Sequence, residues 1–293
     1  MWFFLAIMSA FAASFWSITM KISDNYYKSY SYLPIMILIN AILAFMLLLY
    51  KNPIRGFTIL SIFTGIFQAL TIYFYSKAIK STNNPGIVAS LVRVQVLLTF
   101  ILSIFILHTQ FDVKKLVSIC VIIIGAYIVI RGEGKRKNDK SKHFIIYTII
   151  ASIMYSLFDI FTKLSLNKVN IYYHLVIMLI TAFIVFSILQ ICEYKNYGLV
   201  KPEKKTKGDI KLFNKYNILS VILSGVFNFL VVYLLIKSIG SSSDPSYPKA
   251  VMAISIIITT VLSKFMVKNA NTNTTEIIGI ITILIGVGGV ALL

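Results

Sequence analysis

The composition of this 293-residue chain excludes a soluble globular protein, because 58% of its residues are hydrophobic and only 13% are charged. A soluble domain of this size is about half apolar and about a quarter charged. The net charge of +18 does not indicate nucleic-acid binding, since the Lys and Arg residues lie almost entirely in short segments between apolar runs. That distribution is typical of loops that flank membrane helices.

Ten apolar runs are each suited to cross about 30 Å of hydrocarbon as a helix, which takes about 20 residues. Membrane β-strands would alternate apolar and polar residues over about ten positions, whereas residues 121–126 are continuously apolar. The first cation is Lys21, so the first run lacks the basic start of a cleavable signal and is expected to remain as a helix. The predicted spans are 2–21, 33–50, 57–77, 86–107, 115–131, 144–165, 172–193, 216–236, 248–267 and 276–293.

The two halves of the chain repeat a pattern of residues. At an offset of 142, Ser14, Lys21, Ser23 and Asn25 recur as Ser156, Lys163, Ser165 and Asn167. Further along, Ile79-Lys80-Ser81 matches Ile236-Lys237-Ser238, and Thr99 and Ser103 match Thr259 and Ser263 at an offset of 160. Five spans per repeat is an odd number, so the second repeat would enter the membrane inverted, as in secondary transporters.

The expected fold is therefore an all-α integral membrane protein, with ten transmembrane helices arranged as two inverted five-helix repeats. The repeats are 1–131 and 144–293, joined by a basic linker loop at 132–143. Most Lys and Arg residues lie in loops on the side of the first connection, including the clusters in 132–143 and 194–215. The positive-inside rule places those loops in the cytoplasm and both termini outside.

The chain resembles the ten-helix members of the drug/metabolite transporter superfamily, which have two EamA-type repeats. The resemblance rests on Lys21 and Lys163 at the end of the first helix of each half, and on the segment 73–79, which reads Tyr-Phe-Tyr-Ser-Lys-Ala-Ile. The turn Asn84-Pro85-Gly86 and Gly125 also fit. This resemblance implies export or import of small metabolites, and family members are commonly drawn with both termini inside.

Two departures from the family pattern concern the fourth helix of each repeat. Gln95 and Ser255 stand where the family often has the proline that kinks this helix. After the helix, where the family often has Glu, the chain has His108-Thr109-Gln110 and Lys268-Asn269.

Two ionisable residues lie well inside predicted spans, Arg93 and Asp159. Such residues are costly in a membrane, about 2.5–3.5 kcal/mol, and are functional candidates for that reason. We expect Arg93 to bind an anionic group, because its planar fork suits a carboxylate or phosphate. Asp159 would bind an amine or exchange a coupling proton, or else pair with Lys163 one turn away or with Arg93 itself.

Uncharged polar and aromatic residues complete the candidate substrate site. The stripes Gln95, Thr99, Ser103 and Ser255, Thr259, Ser263 each occupy one helix face, where they either line a wet cavity or bond neighbouring helices. Tyr73, Tyr75 and Tyr233 are interpreted first as interface aromatics, and Lys249 as a snorkelling cation. The remaining candidates are Trp16 and Phe158, which either wall the pocket or face lipid, and Gln68 and Asn228, which are expected to face the cavity.

The predicted function is a secondary active carrier that moves a small zwitterionic or anionic metabolite, such as an amino acid, by alternating access. The alternatives are an exporter of cationic or lipophilic drugs, with Asp159 as the cation site, and a membrane scaffold or receptor without transport. Motifs of enzymes, metal sites and nucleotide-driven pumps are missing from the sequence, so we expect no enzyme activity, metal or cofactor. The expected partners are a small-molecule substrate and the lipid bilayer of the plasma membrane, and not nucleic acid.

Overall fold

The computed structural model describes residues 1–26, 29–51, 56–81, 85–133, 142–197, 217–266 and 273–291, and every regular element within these ranges is a helix. The predicted linker 132–143 and the basic cluster in 194–215 lie largely outside the described residues, as do Asn84, Lys268 and Asn269. The α-helices are α1 Trp2–Tyr26, α2 Ser29–Lys51, α3 Ile59–Lys80, α4 Pro85–Leu91, α5 Gln95–Leu107, α6 Val113–Glu133, α7 Lys142–Leu166, α8 Ile171–Tyr197, α9 Asn217–Ser241, α10 Ser246–Val251, α11 Ile254–Met266 and α12 Thr274–Ala291.

Eight helical segments of the described chain are long and apolar enough to cross a membrane, which makes this an integral multi-pass membrane protein. Two of the eight are interrupted, since α4 continues into α5 and α10 into α11. The predicted spans 115–131 and 276–293 fall in α6 and α12, which are not among the eight. These two helices form the most extensive pair in the bundle.

The helices pack in a pattern that is unchanged when the two halves are exchanged. The first helix of each half packs on the third helix of the other, α1 on α9 and α7 on α3. The second helices pack on each other, α2 on α8, and so do α6 and α12. The first helices also contact the interrupted spans of the other half, α1 with α11 and α7 with α5.

Hydrogen bonds between the elements follow the same exchange. The hydroxyl of Ser14 donates to the carbonyl of Ser255 at 3.2 Å, and the equivalent Ser156 donates to the carbonyl of Gln95 at 3.1 Å.

The lysines near the ends of the two first helices form equivalent hydrogen bonds, each within its own half. Lys21 donates to the carbonyl of Ile79 at 3.0 Å, and Lys163 to that of Ile239 at 3.2 Å. Each cation therefore satisfies a carbonyl near the end of the third helix, where cations stabilise the helix dipole. By these hydrogen bonds, Ile79 is equivalent to Ile239 in the repeat, whereas the sequence match paired it with Ile236.

Both interrupted spans break immediately before the residues that replace proline. A 3₁₀ turn at Val92–Val94 precedes Gln95, and a turn at Met252 and Ala253 comes just before Ser255. Hydroxyls from the first helices bond carbonyls at these breaks, including Ser152 to Val92 at 3.4 Å. Such insertions bend helices without proline, so the interruption of the fourth helix is present in both halves.

The bundle has two faces, which we name after the course of α1. The N-terminal face lies where α1 begins, and the opposite face where α1 ends. On the N-terminal face, Lys115 of α6 forms a buried ion pair with Asp244 at 3.3 Å, and Ser103 donates to the same carboxylate at 3.4 Å. We call this ion pair the latch, because it joins the first half of the chain to the second. On the opposite face, the hydroxyls of Ser23 and Ser220 bond at 3.1 Å.

Candidate functional site

A small cavity lies between the two helix breaks, where both halves of the chain meet. Its volume is about 20 Å³, which is room for about one water molecule. Polar and aromatic side chains from both halves surround it, so the site is built across the repeat boundary. The lining residues are Ala13, Trp16, Ser17, Tyr75, Ala89, Val92, Arg93, Gln95, Tyr155, Val231, Lys249, Met252 and Ser255.

Arg93 lies on the 3₁₀ turn and is only 6% exposed. Its Nη2 donates to the hydroxyl of Ser255 at 2.5 Å. Its Nε has no hydrogen-bond partner in the described chain, and no described carboxylate lies within 4 Å of the guanidinium. A buried charge is normally paired, because removing it from water costs several kcal/mol. Asp159 is the carboxylate whose charge acts on Arg93, but it forms its ion pair with Lys249, so these two cations and one carboxylate keep one net positive charge.

Lys249 and Asp159 form a fully buried ion pair beside the cavity, with 2.9 Å between Nζ and Oδ1. Thr99 donates to the other carboxylate oxygen at 3.2 Å, and the Lys249 ammonium lies 4.1 Å from the centre of the Tyr155 ring. Lys249 is 1% exposed, so it does not snorkel as expected. Asp159 pairs with Lys249, whereas the proposed partner Lys163 bonds the carbonyls of Ile239 and Ser242 instead.

The carboxylate of Asp159 contacts Lys249, which lines the cavity, but Asp159 itself is not among the described lining residues. The sequence pointed to Asp159 as the sole buried acid, but Asp24, Asp244 and Glu276 are also buried, near helix ends. Asp159 is distinguished from these three by its position beside the cavity.

Two stacked aromatic rings form one wall of the cavity. Trp16 and Tyr75 lie 5.3 Å apart between ring centres, with 21° between their planes. The Tyr75 hydroxyl bonds that of Ser17 at 2.9 Å, and the indole Nε1 of Trp16 has no hydrogen-bond partner in the described chain. Tyr75 is thus a buried wall residue, which corrects its interpretation as an interface aromatic.

Five of the predicted site residues line the cavity and seven do not. Arg93, Gln95, Ser255, Trp16 and Tyr75 are in the lining, whereas Asp159, Thr99, Thr259, Phe158, Tyr233, Gln68 and Asn228 are outside it. Thr99 and Asp159 still reach the site through Lys249. Asn228 instead bonds the side-chain amide of Asn40 at 2.6 Å, where α9 packs on α2.

The other residues outside the lining are held in different surroundings. Phe158 is fully buried against the ring of Tyr155 and does not face lipid. Tyr233 stacks on Phe229 with 6.0 Å between ring centres. Gln68 and Thr259 are buried, each with a side-chain oxygen that has no partner in the described chain.

Sequence reasoning missed Tyr155 and Ser17 as lining residues. Both could have been found from Asp159. Tyr155 precedes Asp159 by one helical turn and so shares its face. Ser17 is the counterpart of Asp159 at the offset of 142.

Among the residues that line the cavity, the polar atoms without a hydrogen-bond partner in the described chain are two donors and one acceptor: Nε of Arg93, Nε1 of Trp16 and Oε1 of Gln95. Together with the uncompensated charge of Arg93, they suit a small anion that also carries a hydrogen-bond donor. A cavity of about 20 Å³ does not admit a metabolite.

Comparison with known proteins adds a family match. The model of the EamA-like transporter family matches residues 1–131 and 143–292. No curated protein matches the sequence. Among 28 similar solved chains is one described only as "Crystal structure of protein", with a TM-score of 0.61 and 14% identity. It covers 98% of this chain and 97% of its own length, and its likeness concerns the fold alone.

Proposed function

The chain belongs to the EamA-like transporter family, and from that premise we propose that it is a secondary carrier for a small metabolite with an anionic group. The family is a transporter family, which implies a small-molecule substrate and a lipid environment. The carrier would work by alternating access between its two halves, and the cavity between the helix breaks would be its substrate site.

The observation that carries this proposal is the uncompensated charge of Arg93. A guanidinium that is 6% exposed and has no carboxylate within 4 Å among the described residues is unfavourable in the empty protein. An anionic substrate would remove that penalty and would form a bidentate, charge-assisted contact. Binding energy would thus be concentrated on the one group that the empty site leaves unpaired.

The proposed architecture has ten spans, with α6 and α12 as the fifth span of each repeat. Five spans per repeat would invert the second repeat relative to the first. The exchange-symmetric packing supports this arrangement, and so do the equivalent hydrogen bonds of Ser14 and Ser156. Substrate sites of such carriers lie at the repeat interface near interrupted helices, and the cavity between the two breaks fits that description.

Contacts between the two halves on both faces of the bundle support alternating access. The latch between Lys115 and Asp244 holds the N-terminal face, and the bond between Ser23 and Ser220 holds the opposite face. Opening either face alone would expose Arg93 to one side of the membrane.

The drug-export alternative requires a free carboxylate for a cationic substrate. Asp159 is already paired with Lys249 at 2.9 Å, and the charged residues of the described lining are both cations. An anionic substrate is therefore better supported than a cationic one.

The proposal is tested by counterflow in proteoliposomes with a panel of labelled carboxylates, amino acids and phosphate esters. We expect exchange of at least one anionic compound, and we expect Arg93→Gln to abolish it while the protein stays folded. The matched control is Lys237→Gln, which removes a cation outside the cavity and should leave exchange intact. Absence of flux for the whole panel would favour a scaffold, and exchange of cations through Asp159 would favour drug export.

A further inference from the structure

The charges around the cavity are not equally available to a substrate. Arg93 and Lys249 line it, but the only carboxylate in contact with either among the described residues is that of Asp159, which lies behind Lys249. We infer that Asp159 neutralises Lys249, so that the site presents one net positive charge, at Arg93, and selects monoanions over dianions and zwitterions. This inference rests on the proposed function and narrows its substrate class.

The geometry of the pair supports a balancing role. Both oxygens of the Asp159 carboxylate are engaged, one by Lys249 at 2.9 Å and the other by Thr99 at 3.2 Å. The ammonium of Lys249 is held in turn by the face of the Tyr155 ring at 4.1 Å. A substrate amine would have to displace Lys249 from this pair, which would leave a second buried cation unpaired.

The internal repeat has small neutral residues at the positions that are equivalent to these three charges. At the offset of 160, Lys249 corresponds to Ala89 and Arg93 to Ala253, and at the offset of 142 Asp159 corresponds to Ser17. Ala89 and Ala253 are 3% and 1% exposed, so small neutral residues fill the equivalent positions in a buried environment. All three charges are therefore absent from the equivalent positions of the other repeat.

The net charge of the occupied site separates the classes of ligand. A monoanion on Arg93 brings the three-residue cluster to neutrality. A dianion leaves one negative charge buried, and a zwitterion leaves one positive charge buried, which is its own ammonium. Uncompensated charge in a site with little water is strongly unfavourable, so the monoanion is selected.

Four-carbon probes that differ only in end groups test this selection. Purified protein is titrated at neutral pH with butanoate, succinate and 4-aminobutanoate, and the dissociation constants come from thermal shifts. We expect the unmodified protein to prefer butanoate. Asp159→Asn frees Lys249 and should raise the affinity for succinate relative to butanoate by roughly tenfold or more. Lys249→Met frees Asp159 and should instead favour 4-aminobutanoate.

The double variant Asp159→Asn with Lys249→Met is decisive, because it removes the pair without leaving an unpaired charge if the single variants fold poorly. We expect it to prefer butanoate in the same ratio as the unmodified protein, whatever its absolute affinity. If Asp159 bound the substrate amine, the unmodified protein would prefer 4-aminobutanoate and the double variant would lose that preference. The control is neutralisation of the latch, Lys115→Met with Asp244→Asn, which should leave the ratio unchanged.

The outcomes separate the two proposals. An affinity order that does not follow the site charge, including no binding of any probe, overturns the inference, even where counterflow demonstrates a carrier. An affinity order that follows the site charge without flux of any metabolite supports the inference and overturns the carrier.

Discussion

At Arg93 a buried guanidinium is held by a serine hydroxyl and by no described carboxylate. If Arg93 binds the substrate as proposed, it does so at a cost in stability, as is common for residues of binding sites. We expect Arg93→Met to raise the melting temperature of the ligand-free protein, since it removes an uncompensated charge from the interior. The same variant should abolish anion exchange.

Differential scanning fluorimetry in detergent measures the expected rise in melting temperature, and counterflow measures the expected loss of anion exchange. The reference variant is Lys249→Met, which leaves Asp159 unpaired and should lower the melting temperature. A fall in melting temperature for Arg93→Met would mean that Arg93 is a structural residue.

Some of the predicted site residues that line the cavity are chemically out of place in an apolar run. Arg93 stood out in this way, and its neighbours Gln95 and Ser255 were reached through the polar stripes. Lys249 was misinterpreted because a lysine three residues into a helix usually reaches the interface. Here the short helix α10 holds Lys249 inside the bundle, 2.9 Å from a carboxylate of the sixth predicted span. That proximity depends on how α10 packs beside α7 within the second half, 90 residues apart in the chain, which no local pattern reports.

Among the elements, the latch joins α6 to the turn before α10 through two nearly buried charges. We expect Lys115→Met with Asp244→Asn to favour opening of the N-terminal face, because it removes the ion pair without leaving an unpaired charge. A cysteine at lining position 252, in a background without Cys120 and Cys192, should then react several-fold faster with an impermeant thiol reagent from that face.

The matched control for the latch is Ser23→Ala on the opposite face, which should not increase labelling from the N-terminal face. Equal labelling rates with and without the latch would show that this ion pair does not hold the face closed.

The pair of α6 and α12 depends on glycines at its crossing. A Cβ added to Gly279 would lie 2.8 Å from the backbone nitrogen of Val129, whereas one added to Gly288 on the same helix would meet nothing within 4 Å. We expect Gly279→Ala to destabilise the protein by about 1–3 kcal/mol, because two backbones must separate. Gly288→Ala should be neutral or slightly stabilising. Thermal unfolding of the two variants compares them, and equal melting temperatures would contradict this packing.

The helical runs were predictable because a lipid-facing span must be apolar over its whole length. The helix breaks at Val92–Val94 and before Ser255 were not predictable in this way, because neither contains a proline or glycine. They coincide with hydroxyls donated from the first helix of the other half, to the carbonyls of Gln95 and Ser255. An interruption supported by a distant helix leaves no signal in its own sequence.

For the whole molecule, inversion of the repeats makes a prediction about sidedness. Residues 25 and 167 are equivalent at the offset of 142; residue 25 is the last but one of α1, and residue 167 directly follows α7. We expect reporter tags inserted after these two positions to face opposite sides of the membrane. Protease protection in sealed vesicles reads each tag and also gives the orientation, for which the positive-inside rule and the family resemblance disagree. Tags on the same side would exclude the inverted arrangement.

The duplication itself was visible in the sequence, because serine and lysine recurred at constant offsets. Which helices of the two halves would touch was not visible, since those pairings join residues far apart in the chain. The equivalence of the α1–α9 contact and the α7–α3 contact is seen only in the packed structure.

Because the helical frame is duplicated while the charges are not, the frame and the cargo preference can evolve separately. In the proposed carrier, substitutions at Arg93, Asp159 and Lys249 would change the substrate, while the paired serine and lysine hydrogen bonds between helices stay as they are. Moving the same charges to Ala253, Ser17 and Ala89 would give the proposed carrier with its two halves exchanged, so that its recognition group would face the other compartment.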